Sequence, residues 1–361
     1  MSCCSPLIGL MYDNRSDGKK SLRVMSFDEG MKIPENDERK KVLIPCGHCI
    51  ECRKEKSREW SNRLLMESKY HEDAYFITLT LCPEYAVIVP SYNPDTGEYR
   101  DRETLYKKDL QDFFKRLRKE FKNDKFRYFA VGEYGPKTGK AHYHMILFVD
   151  WHKDENGKKV VGFDDLKLVG MSECGQPRYD SAKLESFWTL TDARSVRFGF
   201  PHGCNESAKD RGKDSDLLGW CELSIANHST MKYVAGYIQK KLGANPNDMY
   251  YMMNIEPPFS ISSRKPGIGY QYLEEHPDVM QADKIYLSTP QGVVECMPPR
   301  YFRKKLSEAN RDLYDEIGEK HMLAAKDRLE AILSKTDLEE IEYRKVVEKN
   351  SLQRRSMRDK I

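Results

Sequence analysis

The sequence predicts an α+β fold in which a central antiparallel sheet is flanked by helices. Residues 74–81, AYFITLTL, are rich in β-branched and aromatic side chains, which is typical of a strand. Two more strand-like runs, at 126–134 and 141–149, flank a Gly-Pro-Lys-Thr-Gly turn and predict a pair of strands. Residues 103–122 repeat apolar side chains at helical spacing among lysines and arginines, which predicts an amphipathic helix.

The remaining segments follow in order along the chain. A basic helix is expected at 53–69, and a further helix, HSTMKYVAGYIQKKL, at about 228–242. Residues 302–350 have a charged, helical pattern. Turn residues predict mainly irregular or loop-rich structure in the segments 1–45, 82–102, 151–220 and 244–300. The exception is a strand expected near RSVRFGFPHG.

Composition indicates a globular protein with a core of ordinary size. Hydrophobic residues make up 39% of the 361 residues, and the net charge of +3 does not by itself indicate a nucleic-acid-binding protein. No apolar run approaches the roughly 18–20 residues that span a bilayer, so no membrane partner is expected. The first residues lack the pattern of a secretory signal, and we expect a reducing cytosol in which the ten cysteines are thiols or metal ligands.

The segment GEYGPKTGKAHYHMILF contains two histidines separated by one residue. On a strand, His142 and His144 share one face. If the turn is tight, with Gly135 opposite Lys140, then Glu133 lies opposite His142, about 4.5–5.5 Å away at Cβ. Two imidazoles and one carboxylate suit a divalent metal ion with open coordination positions. The alternative is that the histidines are ordinary polar residues on a strand surface.

The helix at 228–242 carries two tyrosines four positions apart, Tyr233 and Tyr237, which therefore lie on one face. Lys240 and Lys241 follow Tyr237 within about one turn. A phenol with a pKa of about 10 is a poor nucleophile unless a base, a cation or a metal ion stabilises the phenolate, and a lysine ammonium can supply that charge. The alternative is an aromatic stripe that packs against the sheet.

A dense cysteine cluster with C-x2-C-x2-C spacing precedes the basic helix and consists of Cys46, Cys49 and Cys52. Three thiolates need a fourth ligand to complete a tetrahedral zinc site, and Cys3 or Cys4 is the expected one, with His48 as a weaker candidate. We expect a structural zinc ion that joins the N-terminal segment to the basic helix. An iron–sulfur cluster and plain reduced thiols are the alternatives.

Together, the strand YFITLTL, the H-x-H strand and the helix with Y-x3-Y-x2-K-K resemble the three motifs of the HUH endonucleases. More narrowly, the chain resembles the replication initiators of the microviruses, small icosahedral phages with single-stranded DNA, and fits the gokushovirus branch best. The stretches that carry this resemblance extend from about residue 43 to 272 and are IPCGHCIECRKEKSREW, GEYG...GKAHYHMILF, STMKYVAGYIQKK and PPFSISSRKPGIGYQY.

The resemblance implies a metal-dependent, origin-specific DNA nickase for rolling-circle replication, with Mg²⁺ or Mn²⁺ as the catalytic ion. It implies that His142 and His144 bind this ion and that Tyr233 and Tyr237 are the nucleophiles. The lysine that commonly follows the nucleophile corresponds to Lys240, with Lys241 as the alternative. Glu133 as the third metal ligand rests chiefly on the hairpin register described above.

Partners and domain boundaries follow from the same resemblance. The implied partners are the origin DNA of the phage replicative form, single-stranded DNA, and a host helicase and polymerase in the host bacterial cytoplasm. The implied division is a cysteine-rich zinc element with the basic helix (1–70), an HUH endonuclease domain (71–300) and a helical tail (301–361). The helices of the tail are compatible with an oligomer contact, a helicase contact or a cover for the sheet.

Basic residues in three places are expected to contact DNA phosphates. They are Arg53, Lys54, Arg58 and Arg63 in the basic helix, Lys115 and Arg118 in the amphipathic helix, and Arg264 and Lys265 in SSRKPGIGYQY. For either helix alone, a solvated charged face is the alternative.

Two rival classes of function share these sequence features. One is a related enzyme with a different task, such as a plasmid relaxase or a single-strand transposase with the same residues. The other is a non-enzymatic, zinc-bearing DNA-binding protein in which the histidines and tyrosines are structural.

Overall fold

The computed structural model describes residues 3–13, 20–34, 39–92, 96–157, 162–172, 175–238, 250 and 252–358. These residues form two compact units. The first unit comprises the described residues within Met1–Lys56 and Arg303–Ile361, and the second comprises those within Ser57–Lys241 and Asn245–Phe302. Within the ranges given above, no helix has the length and apolar character needed to cross a membrane.

The first unit contains a small antiparallel sheet. Its strands are β1 (Leu7–Asp13), β2 (Lys20–Met25) and β3 (Lys40–Ile44), with β1 in the middle. A short helix, α1 (Phe27–Met31), follows a capping box in which the Ser26 hydroxyl accepts a hydrogen bond from the Glu29 N–H. The expectation that residues 1–45 are irregular was therefore wrong. Each of these short strands depends on pairing with its neighbours, which local turn signals do not reveal.

The second unit is built around a sheet of seven antiparallel strands, counted over the described part of the chain. They are β4 (Asp73–Thr80), β7 (Lys125–Tyr134), β8 (Ala141–Asp150), β9 (Lys167–Met171), β10 (Pro177–Asp180), β11 (Cys221–Ile225) and β12 (Phe259–Ser262). Their order across the sheet is β12-β7-β8-β4-β11-β10-β9. The strands predicted at 74–81, 126–134 and 141–149 are confirmed, and the histidine-bearing β8 lies in the interior of the sheet.

Two separate hairpins accompany this sheet. They are β5 (Ile88–Tyr92) with β6 (Tyr99–Glu103), and β13 (Ile285–Thr289) with β14 (Gly292–Cys296). Both lie in segments that were expected to be polar or irregular. The short strand β12, in the segment 244–300, was also missed.

Among the helices of the described residues, those of nine residues or more lie where the patterns predict them, whereas the shorter ones were not predicted. The helices after α1 are α2 (Ile50–Glu67), α3 (Lys107–Glu120), α4 (Ala182–Glu185), α5 (Asp192–Phe198), α6 (Glu206–Lys209), α7 (His228–Gly236), α8 (Tyr270–Glu275), α9 (Arg300–Ala309), α10 (Arg311–Leu333) and α11 (Glu340–Arg358). Short 3₁₀ turns cover Ser68–Tyr70, Pro83–Tyr85 and Pro277–Met280. The charged region predicted as helical from 302 is three helices, and Asn310 caps the second by accepting from the Leu313 N–H at 3.0 Å.

Alternation along β8 divides its side chains between the two faces of the sheet. Tyr143, Met145 and Leu147 belong to the main hydrophobic core, in which α3 contributes Phe113 and Leu117. The Tyr143 hydroxyl also accepts a hydrogen bond from the Tyr106 N–H, just before α3, at 3.0 Å. The helix α3 therefore covers the face that β8 shares with Tyr143, and the two histidines lie on the opposite face.

The predicted strand near RSVRFGFPHG is instead the helix α5. The Thr191 side chain accepts a hydrogen bond from the Arg194 N–H at its start, and Gly199 ends it with a φ of 70°. Arg194 is buried, and its Nε donates to the Asp109 carboxylate of α3 at 2.7 Å. Its Nη1 donates to the carbonyl of Tyr85 at 2.8 Å. These long-range contacts outweigh the strand tendency of the aromatic residues in this segment.

We predict that Asp109→Ala destabilises the fold by about 3–5 kcal/mol, because it leaves the buried Arg194 guanidinium without its carboxylate. Urea denaturation at neutral pH measures the change. Asp112→Ala on the same helix is the matched control, since Asp112 pairs with the half-exposed Lys108, and removal of such a pair costs about 0.5 kcal/mol or less. Equal losses in the two variants would contradict the importance of the buried pair.

Candidate metal and tyrosine site

The hairpin β7–β8 brings the predicted acidic residue and the histidines together. Glu133 pairs directly with His142, and the Gly135 N–H donates to the Lys140 carbonyl at 2.9 Å, which is the predicted register. The Glu133 Oε1 atom lies 2.8 Å from Nε2 of His142 and 3.7 Å from Nε2 of His144. Glu133 is only 1% exposed, so its carboxylate has little access to water. The three side chains offer ligand atoms that all lie within 4.8 Å of one another.

The second nitrogen of each imidazole has an oxygen partner. Nδ1 of His142 lies 3.1 Å from the carbonyl oxygen of Lys140, and Nδ1 of His144 lies 3.0 Å from Oγ1 of Thr78. The Lys140 carbonyl can only accept, so it favours a proton on Nδ1 of His142. The Thr78 hydroxyl is able to accept from Nδ1 of His144 in the same way. With the proton on Nδ1, the lone pair of Nε2 is left for a metal ion. Both Nε2 atoms face Glu133, so the donor set of two imidazoles and one carboxylate fits a divalent cation.

The helix α7 places both tyrosines beside the histidines. Its start is fixed by Asn227, whose side chain accepts from the Thr230 N–H at 3.0 Å in a capping box. The His144 ring stacks on Tyr237 with a centroid distance of 5.1 Å and an interplanar angle of 10°. Tyr233 meets the same imidazole edge-on at 5.4 Å. The hydroxyl of Tyr237 donates a hydrogen bond to that of Tyr233, so the two phenol oxygens lie next to each other.

The electrostatic surroundings of Tyr237 oppose its ionisation. Burial, and then the negative charge of Glu133, raise the pKa of the Tyr237 phenol far above its usual value. A phenol in this position stays protonated unless a positive charge is supplied nearby. A divalent cation held by Glu133 and the histidines would supply it, because it offsets the carboxylate that raises the pKa.

Two residues of this site escaped the sequence analysis. Thr78 orients His144 as described, and Phe76, on the same face of β4, stacks on the His144 ring at 5.6 Å and meets Tyr233 edge-on at 5.8 Å. The register of β4 against β8 pairs Thr78 directly with His144. The alternating pattern of YFITLTL indicated a shared face for the two side chains, but only the pairing of β4 with β8 connects them with the histidines.

The basic residues predicted to assist catalysis or to contact DNA lie in several parts of the chain. Lys240 and Lys241 lie outside the described residues. Arg53 and Lys54 belong to the first unit, where Lys54 pairs with Glu51 at 3.0 Å, while Arg58 is exposed in the second unit.

The expectation that Arg63 contacts phosphate is not supported by its position in the structure. Arg63 is buried between the rings of Trp60 and Tyr301, and its Nε donates to the Ile268 carbonyl at 3.0 Å. The side chain is therefore part of the interior of the second unit.

The other basic residues do not join the histidine site. Lys115 and Arg118 are exposed on α3, which covers the opposite face of the sheet. Arg264 and Lys265 are exposed just beyond Ser262, which pairs with Phe129 on β7. Phe129 precedes Glu133 by four residues, a distance of about 13 Å along a strand.

A second group of ligating atoms lies in the first unit. The thiols of four cysteines fall within 4.8 Å of one another, and these are Cys3, Cys46, Cys49 and Cys52. The structure therefore brings Cys3 into the predicted cluster. Neither Cys4 nor the exposed His48 belongs to this group.

Comparison with known proteins agrees with these motifs. Residues 74–242, which contain β4, the β7–β8 hairpin and α7, match the family model of the replication-associated protein ORF2. Over 340 residues the chain is 25% identical to the replication-associated protein ORF2 of Spiroplasma virus 4, covering 91% of this chain and 88% of the relative. It is 27% identical over 297 residues to the replication-associated protein VP4 of Bdellovibrio phage phiMH2K, covering 82% and 78%.

A third relative is similar over a shorter region. The replication-associated protein ORF4 of Chlamydia phage 1 is 26% identical over 202 residues, which cover 55% of this chain and 38% of the relative. No solved structure is significantly similar to the chain. The resemblance predicted from the sequence is thus confirmed: the chain is similar to replication-associated proteins of gokushovirus-like phages with single-stranded DNA.

Proposed function

We propose that this protein is a metal-dependent, origin-specific DNA nickase and strand transferase of the HUH type, which initiates rolling-circle replication of a circular single-stranded DNA phage genome. The likeness to phage replication-associated proteins supports a role in replication initiation. The observation that carries the chemical part of the proposal is the convergence of two phenols, two imidazoles and one buried carboxylate on one face of the sheet.

The proposed reaction is a transesterification. The oxygen of one tyrosine attacks a DNA phosphorus atom, the bond to the 3′ oxygen breaks, and that oxygen leaves as a 3′-hydroxyl after taking up a proton. The 5′ phosphate remains joined to the tyrosine as a phosphodiester, so resealing needs no ATP. The free 3′ end serves a host polymerase as a primer, and the second tyrosine attacks the regenerated origin when the displaced strand is circularised.

The side chains described above have distinct tasks in this scheme. Glu133, His142 and His144 would hold Mg²⁺ or Mn²⁺, which supplies Lewis-acid polarisation of a phosphate oxygen. Tyr237 stacks on the proposed metal ligand His144, which supports it as the nucleophile of the first cleavage. Tyr233, 52% exposed and hydrogen-bonded to Tyr237, would serve the second transfer. Lys240 or Lys241 would assist the phenolate or the phosphate.

The wider setting of the proposal is the cytoplasm of the bacterial host. Origin DNA of the replicative form and single-stranded DNA are the proposed ligands, and a host helicase and polymerase the proposed partners. The predicted basic residues other than the buried Arg63 are retained as proposed phosphate contacts on the basis of their charge. Zinc is the proposed ion of the cysteine cluster, where its role would be structural.

A suicide-labelling experiment tests the proposal. The protein is incubated with Mn²⁺ and labelled single-stranded oligonucleotides that tile the phage genome, and a covalent adduct is sought on a denaturing gel. An adduct with one oligonucleotide, chased by a second strand, is expected. DNA binding without an adduct would favour the non-enzymatic class, and an adduct confined to transfer-origin or transposon-end sequences would favour the relaxase or transposase class.

We predict that His142→Ala and His144→Ala abolish nicking and leave DNA affinity within about twofold of the native value. The histidines serve the metal ion, whereas phosphate and base contacts position the DNA. Calorimetric titration with Mn²⁺ should show loss of the corresponding binding site in both variants, and His276→Ala, at an exposed position away from the cluster, serves as the control. Persistent cleavage by the double variant in the presence of a chelator would refute the metal assignment.

We predict that each single substitution, Tyr233→Phe or Tyr237→Phe, still permits one covalent attachment, while the double variant permits none. Tyr237→Phe should reduce the first cleavage more, since Tyr237 stacks on the proposed metal ligand His144 and precedes Lys240 and Lys241 within about one turn. Tyr233→Phe should mainly reduce circularisation of the displaced strand. Mass spectrometry of the adduct locates the linkage, and undiminished labelling of the double variant would show that neither tyrosine is the nucleophile.

We predict that Thr78→Val lowers the affinity for Mn²⁺ about 10–100-fold, because it removes the oxygen partner of Nδ1 of His144 while keeping the shape of the side chain. Thr78→Ser should retain near-native affinity. Metal affinity is measured by calorimetry, and nicking by Thr78→Val should largely recover at saturating Mn²⁺. Equal affinities of the valine and serine variants would exclude a positioning role for the hydroxyl.

A further inference from the structure

The sulfur atoms of the cysteine cluster have the spacing of ligands around a single ion. The Sγ atom of Cys3 lies 3.6 Å from that of Cys46 and 3.8 Å from that of Cys49. A tetrahedral zinc ion with Zn–S bonds of about 2.3 Å separates its sulfur ligands by about 3.8 Å. A disulfide requires about 2.05 Å, so these are not oxidised pairs. Clusters with several irons and bridging sulfides need wider spacing than the 4.8 Å limit found for this group.

Backbone N–H groups surround these sulfur atoms. The N–H of Cys46 donates to Cys3 Sγ at 3.3 Å, and the N–H groups of His48 and Cys49 both donate to Cys46 Sγ, at 3.4 and 3.2 Å. The N–H of Cys4 donates to Cys49 Sγ at 3.4 Å. Donors of this kind stabilise a thiolate over a thiol, so the local backbone is arranged for charged sulfur ligands.

The two neighbouring N-terminal cysteines have different places in this arrangement. Cys3 contributes its side chain to the group of four sulfurs, whereas Cys4 contributes a backbone donor. Both side chains are buried, so burial alone does not separate them. The positions of the sulfur atoms separate them, because Sγ of Cys3 belongs to the group of four and Sγ of Cys4 does not. This difference favours Cys3 in the choice that the sequence leaves open.

The helix α11 packs on the same cluster. Arg344 is buried and its Nη1 donates to the Cys3 carbonyl at 2.6 Å, while Glu340 holds the guanidinium from the preceding turn at 2.6 and 2.8 Å. Val347 contacts the cysteine side chains, and the Ser351 hydroxyl hydrogen-bonds to Glu51 near the start of α2. Arg344 therefore links the backbone of Cys3 to α11, while Val347 packs against the cysteine side chains.

We propose that Cys3, Cys46, Cys49 and Cys52 form a closed four-thiolate zinc site, and that α11 docks on this site through Arg344. One ion then joins the segment that contains Cys3 to the start of α2, and Arg344 holds α11 on that segment. All four positions are protein ligands, which makes the site structural and separate from the proposed nicking chemistry. The proposal is independent of whether the protein cleaves DNA.

Elemental analysis of purified protein and of two single variants tests the ligand set. Native protein and Cys4→Ser should each contain about one zinc per chain, whereas Cys3→Ser should bind zinc more than about 100-fold more weakly in competition with a chelating dye. A native protein without zinc, a native protein with iron in its place, or equal zinc affinity of Cys3→Ser and native protein would overturn the assignment.

Cobalt substitution keeps the test decisive if Cys3→Ser does not fold. Native protein and Cys4→Ser, both loaded with Co²⁺, should show the same intense visible absorption of a tetrahedral four-sulfur site, together with sulfur-to-cobalt charge transfer. A weak six-coordinate spectrum in native protein, or loss of the tetrahedral spectrum in Cys4→Ser, would refute the proposed ligands.

Hydrogen exchange tests the docking of α11. Removal of zinc by a chelator should accelerate exchange of the α11 amides, while the β7–β8 hairpin of the second unit keeps its protection. Arg344→Met should accelerate exchange in α11 with zinc still bound, whereas Lys345→Met, at the exposed neighbouring position, should not. Unchanged α11 protection after zinc removal, or equal behaviour of the two methionine variants, would refute the docking.

Discussion

The pairing of Glu133 with His142 across the β7–β8 hairpin is the constraint on which the candidate site depends. The turn closes with the hydrogen bond between Gly135 and Lys140, and every later pair on the two strands follows from that register. A slip of one residue would exchange the two faces and place the histidines on the side where α3 packs. The core thus enforces the register, because Tyr143, Met145 and Leu147 have to remain buried.

The register also explains why the site combines groups that are unfavourable in isolation. Glu133 is almost fully buried beside two imidazoles and two phenols, and its charge raises the pKa of Tyr237. A buried carboxylate is costly unless it is paired, and the Nε2 atoms of His142 and His144 lie 2.8 and 3.7 Å from Glu133 Oε1. A bound cation would satisfy the carboxylate and lower the barrier to phenolate formation at once. This shared dependence is the physical link between the predicted metal ligands and the predicted nucleophiles.

The parts that the sequence predicts well are those fixed by local pattern. Alternation and a short turn were enough to predict the hairpin and to place Glu133 opposite His142, and helical spacing predicted α3. The sequence did not predict the helix α5, because burial of Arg194 against Asp109 decides that segment. The sequence also could not identify the fourth cysteine of the cluster, because Cys3 and Cys4 have the same local chemistry. Only packing against residues more than forty positions away distinguishes them. The small sheet β1–β3 was missed for the same reason, since its strands are stabilised by pairing.

The two clusters differ in the ions that they are able to select. Four thiolates are soft ligands that favour zinc and bind Mg²⁺ poorly, whereas a carboxylate with two imidazoles accepts the harder ions that associate with phosphate. The cysteine cluster would supply all four ligands of a tetrahedral ion, while Val347 packs against it and Arg344 donates to the Cys3 carbonyl. Within the described residues, the Glu133 cluster offers three ligands, and exposed Tyr233 lies beside it. A divalent ion held by these three would have coordination positions left for phosphate oxygen or water, which a closed structural site does not offer. If both proposed ions bind, the ligand chemistry of this one chain would separate an ion that stabilises the fold from an ion that meets the substrate.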